Sequence, residues 1–109
     1  MVEWADMQIH VNSNVEKFIQ SLEKQTIAKV LRTIDLLETF GHKLGMPHSK
    51  MISKGLFELR IRGKQEIRIF YSFYKDRIHL LHGFVKKSQK TPQREIDTAL
   101  QRLKRLTLV

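Results

Sequence analysis

The chain has 109 residues, 41% of them hydrophobic, which predicts one domain over 1–109 with a modest core and leaves too little chain for two. It contains no cysteine, so disulfides, thiolate catalysis and cysteine-ligated metals are excluded. The net charge of +9 is concentrated: residues 1–53 carry six Lys/Arg and six Asp/Glu, residues 54–94 eleven against three, and residues 95–109 three against two.

Charge gathered in one segment predicts a polyanionic partner, most simply nucleic acid, although an acidic protein would be attracted by the same field. No apolar run approaches the roughly 20 residues needed to span a membrane. The start, MVEWADMQIH, is acidic and has no signal-peptide core, so a cytoplasmic protein is expected. Trp4 is isolated and supports no reading.

Gln8-Ile9-His10-Val11 reads as a first strand. Ser13 with Glu16 has the spacing of a capping box at the start of a helix. Val15, Phe18, Ile19 and Leu22 then form one helical stripe. A second stripe runs Ile27, Val30, Leu31, Ile34, Leu37 and Phe40, with a break near Glu23 to Gln25 and stop signals at Gly41 and Gly45. These two stripes predict a helix hairpin.

The period then changes. In LFELRIR, Phe57, Leu59 and Ile61 alternate with Glu58, Arg60 and Arg62, the pattern of a half-buried strand. Gly63-Lys64-Gln65 is a turn, and EIRIFYSF is a second alternating strand. Lys75-Asp76 turns into RIHLLHGFV, a third strand. Thr91-Pro92 reads as an N-cap with proline at the first helical position. Ile96, Leu100, Leu103 and Leu106 give the stripe of a final helix. The order predicts an α+β fold in which an N-terminal helix hairpin and a C-terminal helix pack on one face of an antiparallel β-sheet.

On the other face, alternation groups Glu58, Arg60 and Arg62 with Arg68 and Phe70. Lys86, Lys87 and Lys90 leave the third strand beside them. The expected result is a concave basic surface, with an exposed Phe70 able to stack on a base. The five histidines, at 10, 42, 48, 79 and 82, include no i, i+4 pair, so no metal site is predicted.

The order LFELRIR, EIRIFY, LLHGFVKKSQKTPQREID, together with LGMPHSK, resembles the RelE/ParE toxin superfamily, and within it the HigB-like, phage-derived branch of type II toxins. The resemblance covers most of the chain, and HGFVKKSQKTP before a helix start is its most specific part. It implies a microbial-RNase-like fold and cleavage of mRNA on the ribosome without metal or other cofactor. It also implies a cognate antitoxin, of the HigA-like helix-turn-helix kind, that covers the basic site.

By motif, Arg60 and Arg68 match the basic strand positions of the family, and Lys86 and Lys87 its basic residue after the third core strand. Arg62, Lys64, Lys90, Arg94 and His48 are RNA-binding candidates. Two features depart from the RelE pattern. Glu58 stands where a lysine is common, and Gln93 and Arg94 stand where a late catalytic tyrosine begins to be expected. His82, the catalytic candidate, and His48 are candidates for proton transfer, and a lysine can also donate a proton where neighbouring cations depress its pKa. The alternation of His82 with Leu80 and Phe84 equally fits a core position. Two other functions remain open: a ParE-like gyrase inhibitor without RNase activity, and a passive nucleic-acid-binding module.

Overall fold

A computed structural model describes residues 7–108. Trp4 and most of the acidic start lie outside the described residues. The element order is β1 (Gln8–Val11), α1 (Ser13–Gln20), α2 (Lys24–Phe40), a 3-10 turn (Gly41–Lys43), β2 (Ser49–Ser53), β3 (Leu56–Ile61), β4 (Ile67–Tyr74), β5 (Arg77–Val85) and α3 (Gln93–Thr107). The fold is α+β. The sheet order is β1-β5-β4-β3-β2. The β3-β4-β5 meander is antiparallel, as the turn signals predict. The sheet as a whole is mixed, because β1 runs parallel to β5. Among the described residues no helix is long and apolar enough to cross a membrane.

Local chemistry sets the helix ends. The carbonyl of the Asn12 side chain accepts from the Asn14 backbone N–H at 2.8 Å, so Asn12 caps α1 and the expected Ser13–Glu16 box does not form. Gly41 ends α2 with φ of +53°, a conformation that favours glycine. Lys75 and Asp76 both have positive φ, the signature of a tight hairpin whose twist matches its strands.

The sheet is covered on both sides, which corrects the one-face expectation. On the first side, Val15 and Ile19 of α1 and Val30 and Leu37 of α2 pack on Leu59, Ile61, Ile67, Ile69, Tyr71, Ile78 and Leu80. Leu31 and Phe40, expected in this stripe, are each 51% exposed. On the second side, Ile96, Ala99, Leu103 and Leu106 of α3 pack on Leu56, Phe70, Leu81 and Phe84. The strands carry apolar residues on both faces, and a helix on one face would leave this second cluster in water.

A register shift in β5 decides one side chain. Phe70 pairs with His82 but Tyr71 pairs with Leu80, so Leu81 is an extra residue in the ladder. The bulge breaks the Leu80–His82–Phe84 alternation. Leu80 enters the first core, while Leu81 and His82 turn toward α3.

Gly83 lets α1 approach β5 closely. A Cβ there would lie 2.6 and 2.8 Å from two ring carbons of Phe18. Gly83→Ala is expected to lower unfolding free energy by about 2 kcal/mol, the usual scale of overpacking. A urea unfolding midpoint equal to wild type would show that the Phe18 ring moves aside without cost.

Candidate functional site

Two arginines face each other across β3 and β4, since the pairing sets Arg60 opposite Arg68. Like charges in that register repel unless something lies between them. Glu58, two residues before Arg60 on the same strand face, supplies the counter-charge. Its Oε1 is 3.7 Å from both Arg60 Nε and Arg68 Nε. Its Oε2 accepts from the Thr91 hydroxyl at 3.0 Å. Thr91 therefore ties the basic loop to the sheet and does not cap α3, whose N-cap is Pro92.

Arg68 is only 2% exposed. Its Nη1 donates to the Ile67 carbonyl at 3.0 Å, and its Nη2 lies 3.7 Å from Glu66 Oε1. The Nε atoms of Arg60 and Arg68 are buried and have no hydrogen-bond partner. At 3.7 Å, Glu58 attracts them without forming a hydrogen bond. Buried N–H groups are nearly always bonded, so two orphaned donors at one place are unusual.

The lysines arrive from β5. The Lys86 backbone N–H donates to the Glu66 carbonyl at 2.7 Å, which fixes the start of the loop against β4. The Ser88 hydroxyl donates to the Lys90 carbonyl at 2.8 Å and tightens the turn beyond it. A cleft of about 430 Å³ results, lined by Arg60, Arg62, Glu66, Arg68, Lys86, Lys87, Ser88 and Gln89. Five cations meet one lining carboxylate there, with Glu58 behind them.

Burial pulls the Arg68 pKa below its ordinary value, with Glu58 opposing and Arg60 adding to the fall. The Lys86 ammonium is also lowered, first by burial and then by the charge of Arg68, against Glu58. A lysine shifted this way gives up its proton more readily.

Five sequence-predicted residues therefore converge: Arg60, Arg62, Arg68, Lys86 and Lys87. The ion pair of Glu66 is with Arg68. His48 lies in an adjoining groove of about 320 Å³ that shares Arg60 and Arg62 with the cleft. Lys64, Lys90 and Arg94 are exposed and do not line the cleft.

Two predicted residues are elsewhere. Phe70, expected to stack on a base, is 0% exposed beneath α3. His82 lies in the seam between β5 and α3. Its Nε2 is 2.9 Å from Glu95 Oε1, and its Nδ1 is 3.2 Å from Arg102 Nη1. Arginine has only donors, so Nδ1 accepts and Nε2–H donates to Glu95, an assignment made by the network. The ring also stacks near Phe70 and Phe84. Both nitrogens are thus committed to α3, away from the cleft.

Sequence reasoning missed Lys29 and Arg32, which bring α2 to the adjoining groove. Their i, i+3 spacing on one helix face is a signal, but a weak one, because it equally describes a solvated surface. It also missed Glu66, Ser88 and Gln89 as lining residues.

The family model described as Phage derived protein Gp49-like (DUF891) matches residues 17–104. No curated protein matches the chain. The match takes in both arginine-bearing strands, the lysine loop and most of α3. The chain belongs to the phage-derived Gp49-like family, a type II toxin family of the RelE/HigB-like kind.

Proposed function

We propose that the protein is the toxin of a type II toxin–antitoxin pair and cleaves mRNA on the translating ribosome in the cytoplasm. The observation that carries this reading is the facing pair Arg60 and Arg68, each with an unpartnered Nε, lining a cleft where Lys86 and Lys87 also converge. A toxin family implies an antitoxin. A helix-turn-helix antitoxin of the HigA-like kind would neutralise the protein by laying an acidic surface over these cations.

In the proposed reaction the ribose 2′-OH attacks the adjacent phosphorus, the P–O5′ bond breaks, and a 2′,3′-cyclic phosphate and a free 5′-OH result. The 2′-OH proton passes to solvent and one proton reaches the departing 5′ oxygen, so the step balances without metal or other cofactor. Arg68 and Arg60 direct rigid donors at the non-bridging oxygens, where charge grows in the transition state. Lys86 is the proton donor to the 5′ oxygen. Its lowered pKa suits that task, and cleavage should decline as rising pH deprotonates it. Lys87 and Arg62 hold the flanking phosphates. His48, beside Arg60 and Arg62, is placed to contact the strand as it leaves the cleft.

Brief expression in bacteria followed by mapping of new mRNA 5′ ends tests the reading. Wild type should create new ends within coding regions, and a Lys86→Ala, Lys87→Ala double variant should not. Growth arrest with intact messages and altered DNA supercoiling would instead favour a gyrase inhibitor. Neither effect would favour a passive binding module.

A further inference from the structure

A second cavity lies at the opposite end of β5. The cleft uses Lys86 and Lys87 beyond the end of the strand, whereas this cavity is built around His79 and Leu80 near its start. At about 3.3 Å per residue, roughly 20 Å of strand separates them. The cavity measures about 480 Å³ and lies between β1, β5 and the last turns of α3. Its lining is strongly one-sided in charge. Lys75, Arg102 and Arg105 line it beside His10 and His79, and no carboxylate does among the described residues.

The interior holds an unanswered polar atom. His79 is 8% exposed, and its Nδ1 is buried without a hydrogen-bond partner. Its ring lies 5.5 Å from that of His10 and 6.2 Å from that of Tyr74. Burial pulls the His79 pKa down, with His10 and Arg77 adding and the Tyr74 backbone opposing. The Tyr74 backbone takes one ring N–H, so Nδ1 donates to an anion when the ring is protonated, the form that a bound phosphate favours.

Arg102 is held in place. Its Nη1 donates to the Leu81 carbonyl at 2.8 Å and lies 3.2 Å from His82 Nδ1. Both contacts use one nitrogen, so Nη2 and Nε keep their donors for a ligand. Asn12 spends its side-chain oxygen on the Asn14 N–H, which leaves its amide NH₂ at the cavity edge. Apart from Asn14, the rest of the wall is apolar or aromatic: Tyr74 and Leu106, with Leu80 and Leu81 buried behind. A bare phosphate would satisfy the cations and leave the part-exposed Tyr74 and Leu106 in water.

From this division we propose that the cavity binds a nucleoside monophosphate, either free or as one unit of an RNA strand. The phosphate lies between Arg102, Arg105 and His79 Nδ1, and the base lies against Tyr74 and Leu106. The site does not depend on the cleavage activity proposed for the first cleft.

Calorimetric titration of the full chain with adenosine 5′-monophosphate tests the assignment, because this ligand has no phosphodiester to cleave. One-to-one binding is expected, with inorganic phosphate and adenosine each at least about tenfold weaker. Arg105→Glu, an exposed substitution, should weaken binding at least about tenfold. Arg68→Ala, in the other cleft, should leave it unchanged. The His79 Nδ1 resonance should shift on saturation. A cleavage-resistant 2′-O-methyl oligonucleotide separates the two sources. Displacement of the mononucleotide identifies RNA, and binding without displacement identifies a free nucleotide. The proposal is overturned by absence of saturable binding, by inorganic phosphate binding as tightly as the nucleotide, or by loss in Arg68→Ala with retention in Arg105→Glu.

Discussion

Arg68→Ala is expected to slow cleavage of ribosome-bound message by about 100- to 1,000-fold, the loss seen when one preorganised donor is removed from a developing oxyanion. The expectation rests on position. Arg68 is 2% exposed, its Nη1 is anchored to the Ile67 carbonyl, and its Nε has no partner. Such a donor needs little reorganisation when charge builds on the phosphorane. Arg68→Lys separates charge from shape: it keeps a cation but loses the rigid fork, so it should recover only part of the rate. Single-turnover cleavage under saturating ribosomes, with circular dichroism to confirm folding, makes the measurement. A folded Arg68→Ala variant within about threefold of wild type would remove Arg68 from the transition state.

The meander and its alternation were legible because β3 and β4 have a clean period of two, and because Lys75-Asp76 marks a tight turn. Pairing was less legible. β2, SKMIS, is a short edge strand with three of five residues exposed, and no strand is predicted there. The parallel partner of β1 is 69 positions away along the chain, beyond any local pattern. The cover on the second face was misread because Arg60 and Arg68 made that face look wet throughout. It is wet only at the Arg60–Arg68 end, while Leu56, Phe70, Leu81 and Phe84 make the rest a core for α3. Phe70 went wrong with it. His82 depended on the bulge at Leu81, where one extra residue reverses the inside-outside assignment. The site cations, by contrast, were readable because most of them sit on adjacent strands or on a loop fixed at both ends. Thr91 shows the limit of local reading: a good helix-cap residue instead reaches Glu58, thirty-three positions earlier.

Glu58→Gln is expected to lower unfolding free energy by about 3 kcal/mol, the cost of removing one partner from a buried ion pair and leaving the other charged. The carboxylate is 3.7 Å from two guanidinium groups, and its side chain is 3% exposed. Glu66 would still oppose the charge of Arg68, which places the loss toward the lower end for buried pairs. The amide keeps a carbonyl for the Thr91 hydroxyl, so the loop anchor need not be lost with the charge. Anions give the prediction a second readout. A ligand that binds only the folded state stabilises it by mass action, more strongly as its affinity rises. With Glu58 neutral, Arg60 and Arg68 attract a phosphate more strongly, so sulfate or an uncleavable oligonucleotide should raise the midpoint of the variant more than that of wild type. Equal stability of the two proteins would mean that Glu58 does not hold the arginines in place. Reduced stability without preferential anion rescue would mean that it holds them, but that the orphaned Nε donors do not face the ligand. The intended outcome, instability relieved by anions, would make Glu58 the internal counter-ion that keeps two facing arginines folded together until a phosphate arrives.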